Sequence, residues 1–259
     1  MVTADRPVLA QRAILAYRRQ TYPNTELVVL DNGVTPVEDL LADLPADEVV
    51  YEHVEKRPDT HIGALRNRSL DLATGDFVAP QWDDDDWSHP ERIERQMRPL
   101  LDEGYDACTL AGTLMHVDDP RYFDHPFIGL LRGGVPPTIV HRRDAEIRYP
   151  NLRRTSDSVY VEAWQEHRYV QLPPEQSYLY VRYQHGGNLW EADHFLRRAR
   201  NTPRDLLLWG WHRHVRRRPF DHPRFRLSPE ARAAFAQYLD DSFRFDLFQT
   251  RSRAEQHSA

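Results

Sequence analysis

Four consecutive aspartates, Asp83 to Asp86, stand between Trp82 and Trp87 at the end of the apolar run Phe77-Val78-Ala79-Pro80. Adjacent carboxylates repel one another. Holding them beside apolar neighbours costs roughly several kcal/mol per charge unless a cation or hydrogen-bond donors offset it. A strand that delivers such a cluster to a sheet edge is suited to holding a divalent metal. The plain alternative is a solvated acidic turn, and the two flanking tryptophans speak against it. A second carboxylate, Asp31, ends the run Glu26-Leu27-Val28-Val29-Leu30. It has its own plain alternative, that of opening an Asp-Asn-Gly turn.

These residues need strands and helices to position them. Glu26–Asp31 and Glu48–Val54 read as short strands by length and β-branching. Pro7–Gln20, Val37–Leu44, Ile62–Ala73 and Pro90–Leu101 read as helices, with Pro7 and Pro90 at first turns and Gly75 as a C-terminal stop. Asp76–Trp82 is the strand that feeds the acids. This alternation predicts an α/β fold with a mostly parallel sheet flanked by helices. Ligands of such sheets bind outside the carboxyl ends of the strands, so Asp31 and the acid run should face one crevice. Further on, Ala107–Val117, Thr138–His141, Val170–Leu172 and Tyr178–Tyr183 read as strands. Gly129–Pro137 reads as a loop and Ser156–His167 as a helix. From about Trp190 the chain is helical and rich in arginine, with a closing helix or helix pair within Phe225–Phe248.

Four segments in order resemble glycosyltransferase family 2, whose fold is termed GT-A. They are Arg6-Pro7 with Arg12-Ala13-Ile14 and Gln20-Thr21-Tyr22-Pro23; Glu26 to Gly33; Gly63-Ala64-Leu65-Arg66-Asn67 leading to Gly75-Asp76; and Trp82 to Trp87 with Pro90 and Gln96. The resemblance implies a catalytic domain over residues 1–189, with a nucleotide-binding half (1–100) and an acceptor half (101–189). Residues 190–259 would be a helical C-terminal extension. It also implies a metal-dependent, inverting transfer of a sugar from a nucleotide-sugar, a UDP-sugar, to an acceptor hydroxyl. Mn²⁺ or Mg²⁺ would offset the charge on the leaving diphosphate.

The resemblance assigns roles to single residues. The family's D-x-D motif falls on Asp83-Asp84-Asp85. Asp85 would be the direct metal ligand, and Asp83 would reach the metal through water or the ribose. Asp86 would brace the loop. Because every position is aspartate, the register stays open by one residue. Asp31 would accept from the base, with Thr3, Asp5 and Arg6 nearby, and Arg66 would meet base or phosphates. Asp157, at a helix start, would be the catalytic base or else a helix cap. The family's preceding acid is Ser156 here. His185 would complete the metal shell, and Trp190 would close over a substrate. The family's first strand has several apolar residues before its turn, whereas here the turn follows Met1-Val2-Thr3. An extension upstream of Met1 is therefore expected to raise solubility or activity.

Composition bounds the rest. The 259 residues are 40% hydrophobic and 29% charged, with net charge −6. That gives no electrostatic support for a nucleic-acid partner. The single cysteine, Cys108, allows no internal disulfide and fits a reducing cytosol. No apolar stretch reaches the ~20 residues of a membrane span. The segment Arg197–Arg218 suggests peripheral contact with a membrane or an anionic carrier, or else a helix packed on the core. The acceptor is left open among glycans, lipid carriers and small metabolites. Two other readings remain: a non-catalytic glycosyltransferase-like scaffold, and a sugar nucleotidyltransferase. The latter is disfavoured because Thr3–Pro7 lacks the glycine-rich loop such enzymes carry.

Overall fold

The computed structural model describes residues 1–57, 61–152, 155–186 and 192–250. The strands are β1 (Val2–Thr3), β2 (Leu27–Asp31), β3 (Val49–His53), β4 (Phe77–Val78), β5 (Trp87–Ser88), β6 (Ala107–Leu110), β7 (Gly112–Val117), β8 (Phe127–Leu130), β9 (Val140–Arg142), β10 (Tyr169–Leu172) and β11 (Tyr180–Gln184). The α-helices are α1 (Pro7–Arg18), α2 (Ile62–Leu72), α3 (Arg92–Asp102), α4 (Ser156–Gln165), α5 (Ala192–Arg197), α6 (Pro203–Gly210) and α7 (Pro229–Arg244).

The strands form three sheets, β1-β2-β3, β10-β6-β9-β4 and β5-β11-β7-β8. The first is parallel throughout and sets Thr3 beside Asp31. The other two are mixed: β6–β10 and β7–β11 are parallel, while β9 and β8 return antiparallel. α1 starts on Pro7, where a missing N–H costs nothing. It buries Ala10, Ala13, Ile14 and Tyr17 against β2 and Trp82.

Several sequence expectations change. Gly75 does not close α2: Ala73 caps it in extended backbone at φ −67°, ψ 134°. The Glu26 carboxylate accepts from the Thr74 and Gly75 N–H groups at 2.6 and 3.0 Å, so the exposed amides are satisfied without a left-handed glycine. The run 107–117 is two strands in two sheets. At the switch, a Cβ on Gly112 would lie 2.4 Å from Leu130 Cδ2 and 2.7 Å from Ser177 Oγ, so a larger residue there would have to displace both side chains. Gly129 lies in β8 rather than in a loop.

The helical extension is part of the same core. Ala231, Ala234, Phe235 and Tyr238 of α7 pack with Trp87, Leu114, Val181, Tyr183 and Phe248. Residues 187–191, which include Trp190, and 251–259 lie outside the described residues.

His116 and His141 are fully buried. His141 lies between the Tyr160 hydroxyl at 2.8 Å and the Arg142 carbonyl at 2.7 Å. Burial pushes it down to about 4, and His116 likewise. An unfolded histidine titrates near 6.5, so the stability gained from a neutral buried ring is full above that pH and is lost as pH falls through about 4. We expect the stability advantage of wild type over His141→Asn to shrink between pH 6.5 and 4. The change should approach about 1.4 kcal/mol per pH unit. Urea midpoints measured at several pH values check this; a pH-independent difference would refute it.

Candidate active site

β4 ends at Val78, short of the strand expected over 76–82, and the acid run follows in a turn after four intervening residues, with the Asp86 N–H donating to the Asp83 carbonyl at 3.4 Å. Two buried indoles anchor its ends. Trp82 Nε1 donates to the Ala13 carbonyl at 3.0 Å and Trp87 Nε1 to Asp241 Oδ2 at 2.9 Å. The backbone between them is held by Arg12, which donates to the Asp85 carbonyl at 2.6 Å and to Ser242 Oγ at 2.9 Å. Arg12 is fully buried and stacks over the rings of Tyr183 and Tyr238 at 5.4 Å.

The four carboxylates are not equivalent. Asp83 accepts from Arg66 at 3.1 Å. Asp84 accepts from the Thr3 hydroxyl at 2.8 Å and from Arg6 at 3.3 Å. Asp85 meets Arg6 at 3.4 Å and His185 Nε2 at 3.5 Å. Asp86 accepts from the Tyr180 hydroxyl at 3.0 Å and the Tyr183 N–H at 3.1 Å. Burial, with the Asp85 charge adding to it, pushes Asp86 up to about 7 and Asp84 up to about 6. Burial raises Asp83 as well, against the pull of Arg66. At Asp85 burial acts in the same sense but is overcome. The hydrogen bond to His185 and the charge of Arg6 hold this carboxyl below its usual range. Asp85 is thus the member of the run whose negative charge is best supported.

Arg66 is buried on α2 and forks between Asp83 and Asp157. Burial opposes its charge, but the two carboxylates hold its pKa above the ordinary value. Asp157 sits in the first turn of α4. Among the described residues it bonds to Arg66 and the Ser156 hydroxyl, not to an N–H of the helix. Asn67, next to Arg66 on α2, exchanges two side-chain hydrogen bonds with the backbone of Tyr149, at 2.9 and 2.8 Å. Tyr149 stacks on Tyr160 of α4 at 3.8 Å and lies under Arg66.

Asp31 is fully buried, and both its oxygens are bonded, to the loop after it and to Tyr51 of β3. Gly33 N–H donates to one at 2.9 Å, while Val37 N–H at 2.8 Å and the Tyr51 hydroxyl at 3.1 Å donate to the other. These three bonds orient the carboxylate without using all of its acceptor lone pairs. Asp5, in left-handed backbone at φ 56°, takes the Val34 N–H at 2.6 Å and fixes the same turn from the other side.

Thr3, Arg6, Arg66, Asp83, Asp84, Asp85, Asp157 and His185 are thus brought into one polar network, with Asp5 and Asp31 beside it. Arg12 and Asn67 were quoted within sequence segments, but their work was missed. The signal for Arg12 was an arginine among the apolar positions of α1.

Among the described residues no three His, Cys, Asp or Glu side chains converge as a ready-made metal cage. Asp85 and His185 supply one oxygen and one nitrogen. That set fits an ion that takes its remaining ligands from phosphate oxygens and water, as Mg²⁺ commonly does in nucleotide sites. A separate cavity of about 360 Å³ is lined by Leu27, Val28, Phe77 and Val78, among others. It lies toward the strands' amino ends, away from the crevice at their carboxyl ends.

Residues 1–165 match the family model described as Glycosyl transferase family 2. Over 98 residues the chain is 35% identical to the proposed colanic acid biosynthesis glycosyl transferase WcaA of Escherichia coli, covering 36% of this chain and 33% of that protein. Over 192 residues it is 23% identical to an uncharacterized glycosyltransferase of Haemophilus influenzae, covering 66% and 72%. The match thus spans about a third of WcaA's length. Among solved structures, the S. aureus TarS 1–349 complex with UDP superposes with a TM-score of 0.56 at 16% identity, covering 83% of this chain and 73% of that one. The mannosyltransferase PcManGT of Pyrobaculum calidifontis, with GDP-Man and Mn²⁺, superposes at 0.53 and 16% identity, covering 92% and 73%. The fold is that of the GT-A glycosyltransferases.

Arg12→Met would leave the carbonyls of Asp85 and Asp86 without their buried donor. We expect a loss of about 2–4 kcal/mol in urea denaturation. A loss below about 0.5 kcal/mol would show that the loop does not depend on Arg12.

Proposed function

The chain belongs to glycosyl transferase family 2, and we propose that it is a metal-dependent, inverting glycosyltransferase. It would move a sugar from a nucleoside-diphosphate donor, a UDP-sugar, to an acceptor hydroxyl. One observation carries this reading: the Arg66 fork joins Asp83 of the acid run to Asp157 at the head of α4. The side suited to a diphosphate and the side suited to an acceptor meet at one guanidinium. UDP in the TarS complex, and GDP-Man with Mn²⁺ in PcManGT, support a nucleotide-sugar donor and a divalent ion. Fold likeness alone would not name the chemistry.

Each residue then has a task. Asp85 and His185 would hold Mn²⁺ or Mg²⁺, which when bound offsets charge on the leaving diphosphate as a Lewis acid. Arg6 and Arg66 add fixed positive charge on the same side, placed before the reaction begins. Thr3 and Arg6 restrain Asp84, and the Tyr180 and Tyr183 donors restrain Asp86, so the loop is set around Asp85. Asp31 and Asp5 shape the base end by fixing the Gly33–Val37 turn from two sides. Asp157 takes the proton from the acceptor hydroxyl. As it does so, the hydroxyl oxygen bonds to the anomeric carbon, and the bond from that carbon to the diphosphate oxygen breaks, with the electron pair leaving on the diphosphate. Arg66 holds Asp157 in place for that transfer. The acceptor belongs to the hydroxyl-bearing classes of glycan, lipid carrier or small metabolite.

Asp157→Asn keeps the shape and a hydrogen-bonding oxygen for Arg66 but removes the base. Turnover of a UDP-sugar with Mn²⁺ is expected to fall by about 10²–10⁴-fold, with UDP affinity unchanged. Retained turnover at unchanged affinity would remove Asp157 from the base role. No turnover in wild type with any nucleotide-sugar would favour a non-catalytic binding protein.

A further inference from the structure

We propose that α6 and the π-helical turn after it, Trp211–Val215, form a docking surface for an anionic lipid bilayer. The proposal does not depend on the glycosyl-transfer reading. α6 begins at Thr202, whose hydroxyl caps the Asp205 N–H at 3.1 Å, and it runs without a break into the π turn. That turn closes with the Arg216 N–H on the Trp211 carbonyl at 3.0 Å.

The face this helix buries includes its polar residues. Asp205, Trp209 and His212 point inward. Asp205 pairs with Arg224 at 2.6 Å and with the Thr202 hydroxyl at 2.7 Å, and Trp209 lies against Phe225 and His222. These contacts fix the rotation of the helix about its axis. With that rotation fixed, Leu206, Leu207, Trp211 and Val215 face solvent, with exposures of 57%, 76%, 54% and 59%. They make up four of the eleven exposed large apolar side chains among the described residues, and they fall within ten positions. Scattered apolar residues on a surface need no explanation, but a cluster does.

Charge selects the occupant. Arg204, Arg213, Arg216, Arg217 and Arg218 are all exposed around this cluster. The one acid between positions 203 and 218 is the buried Asp205. The whole chain carries −6, so this basic patch stands out against an acidic protein. An anionic bilayer would attract the patch and repel much of the remaining surface, which orients the molecule. Trp211 suits the headgroup level, and arginine stems can lie along apolar surface while their guanidinium groups reach phosphates. A second copy of the chain is disfavoured, because it would bring five more arginines to the same face. No helix among the described residues is long and apolar enough to cross a membrane, so the contact would lie in the interface plane.

The test is co-sedimentation of the full chain with phosphatidylglycerol-containing vesicles and with pure phosphatidylcholine vesicles. Wild type should sediment with the anionic vesicles and not with the neutral ones, and added salt should weaken this. Leu207→Ser/Trp211→Ser, and separately Arg216→Gln/Arg217→Gln/Arg218→Gln, should each reduce partitioning at least about tenfold. All these side chains are exposed, so urea midpoints and UDP affinity should stay at wild-type values. Absence of vesicle binding, or equal binding by the variants, would overturn the proposal. So would self-association, or capture of an acidic protein, that Leu207→Ser/Trp211→Ser abolishes while vesicle binding is absent.

Discussion

Four carboxylates held in one turn, a few residues beyond β4, can persist only where donors and cations surround them. Much of the structure around the crevice meets that requirement. β1 brings the Thr3 hydroxyl to Asp84, and the loop after it brings Arg6. α1 contributes Arg12 beneath the backbone, and α2 contributes Arg66. β11 supplies a hydroxyl, an amide and, at its end, His185. Each is a charge-assisted or buried contact whose loss would leave a carboxylate or carbonyl unsatisfied.

The compensation is uneven, and the unevenness makes the site directional. Asp84 and Asp86 are pushed toward holding protons by burial and by the charge of Asp85. For such groups the stabilisation from the bound proton is present below the unfolded pKa and is lost as pH rises through about 6 and 7. This opposes the effect of the buried histidines, so the pH profile of wild type alone conceals both. Asp85 goes the other way, its negative charge favoured by His185 and Arg6. Negative charge is therefore concentrated at one position of a run whose letters are identical. α7 shares in this arrangement: Asp241 receives the Trp87 indole and Arg19, and Ser242 receives Arg12. The C-terminal helix is thus tied to the same loop that carries the acids.

The alternating pattern of the first hundred residues was readable because period and punctuation agreed: Pro7 at a helix start, β-branched Val28-Val29 in a strand, four acids after an apolar run. The grouping of Thr3, Arg66 and the acids was readable for the same reason, since each sits at an element end that a parallel sheet places on one side. Where the reading failed, a tertiary contact had displaced a local signal. Gly75 looked like a helix stop, but Glu26, distant in sequence, satisfied the amides instead. In the run 107–117 the switch of sheet falls beside Gly112, where a side chain would crowd Leu130 and Ser177, contacts not visible in the linear chain. The bond from the Tyr51 hydroxyl to Asp31 is likewise invisible in the linear chain. The register within Asp83–Asp86 could not be read from four equal letters at all. Only the surroundings distinguish them.

The proposed transfer depends on Asp85 presenting its charge to an ion shared with a diphosphate. Calorimetric titration of UDP into wild type and Asp85→Asn, each with Mn²⁺ and with a chelator, tests that directly. Mn²⁺ is expected to tighten UDP binding to wild type by at least about tenfold, and Asp85→Asn to lose this enhancement while keeping the weaker, metal-free binding. Equal UDP affinity with and without the metal in wild type, or an undiminished metal effect in Asp85→Asn, would contradict it.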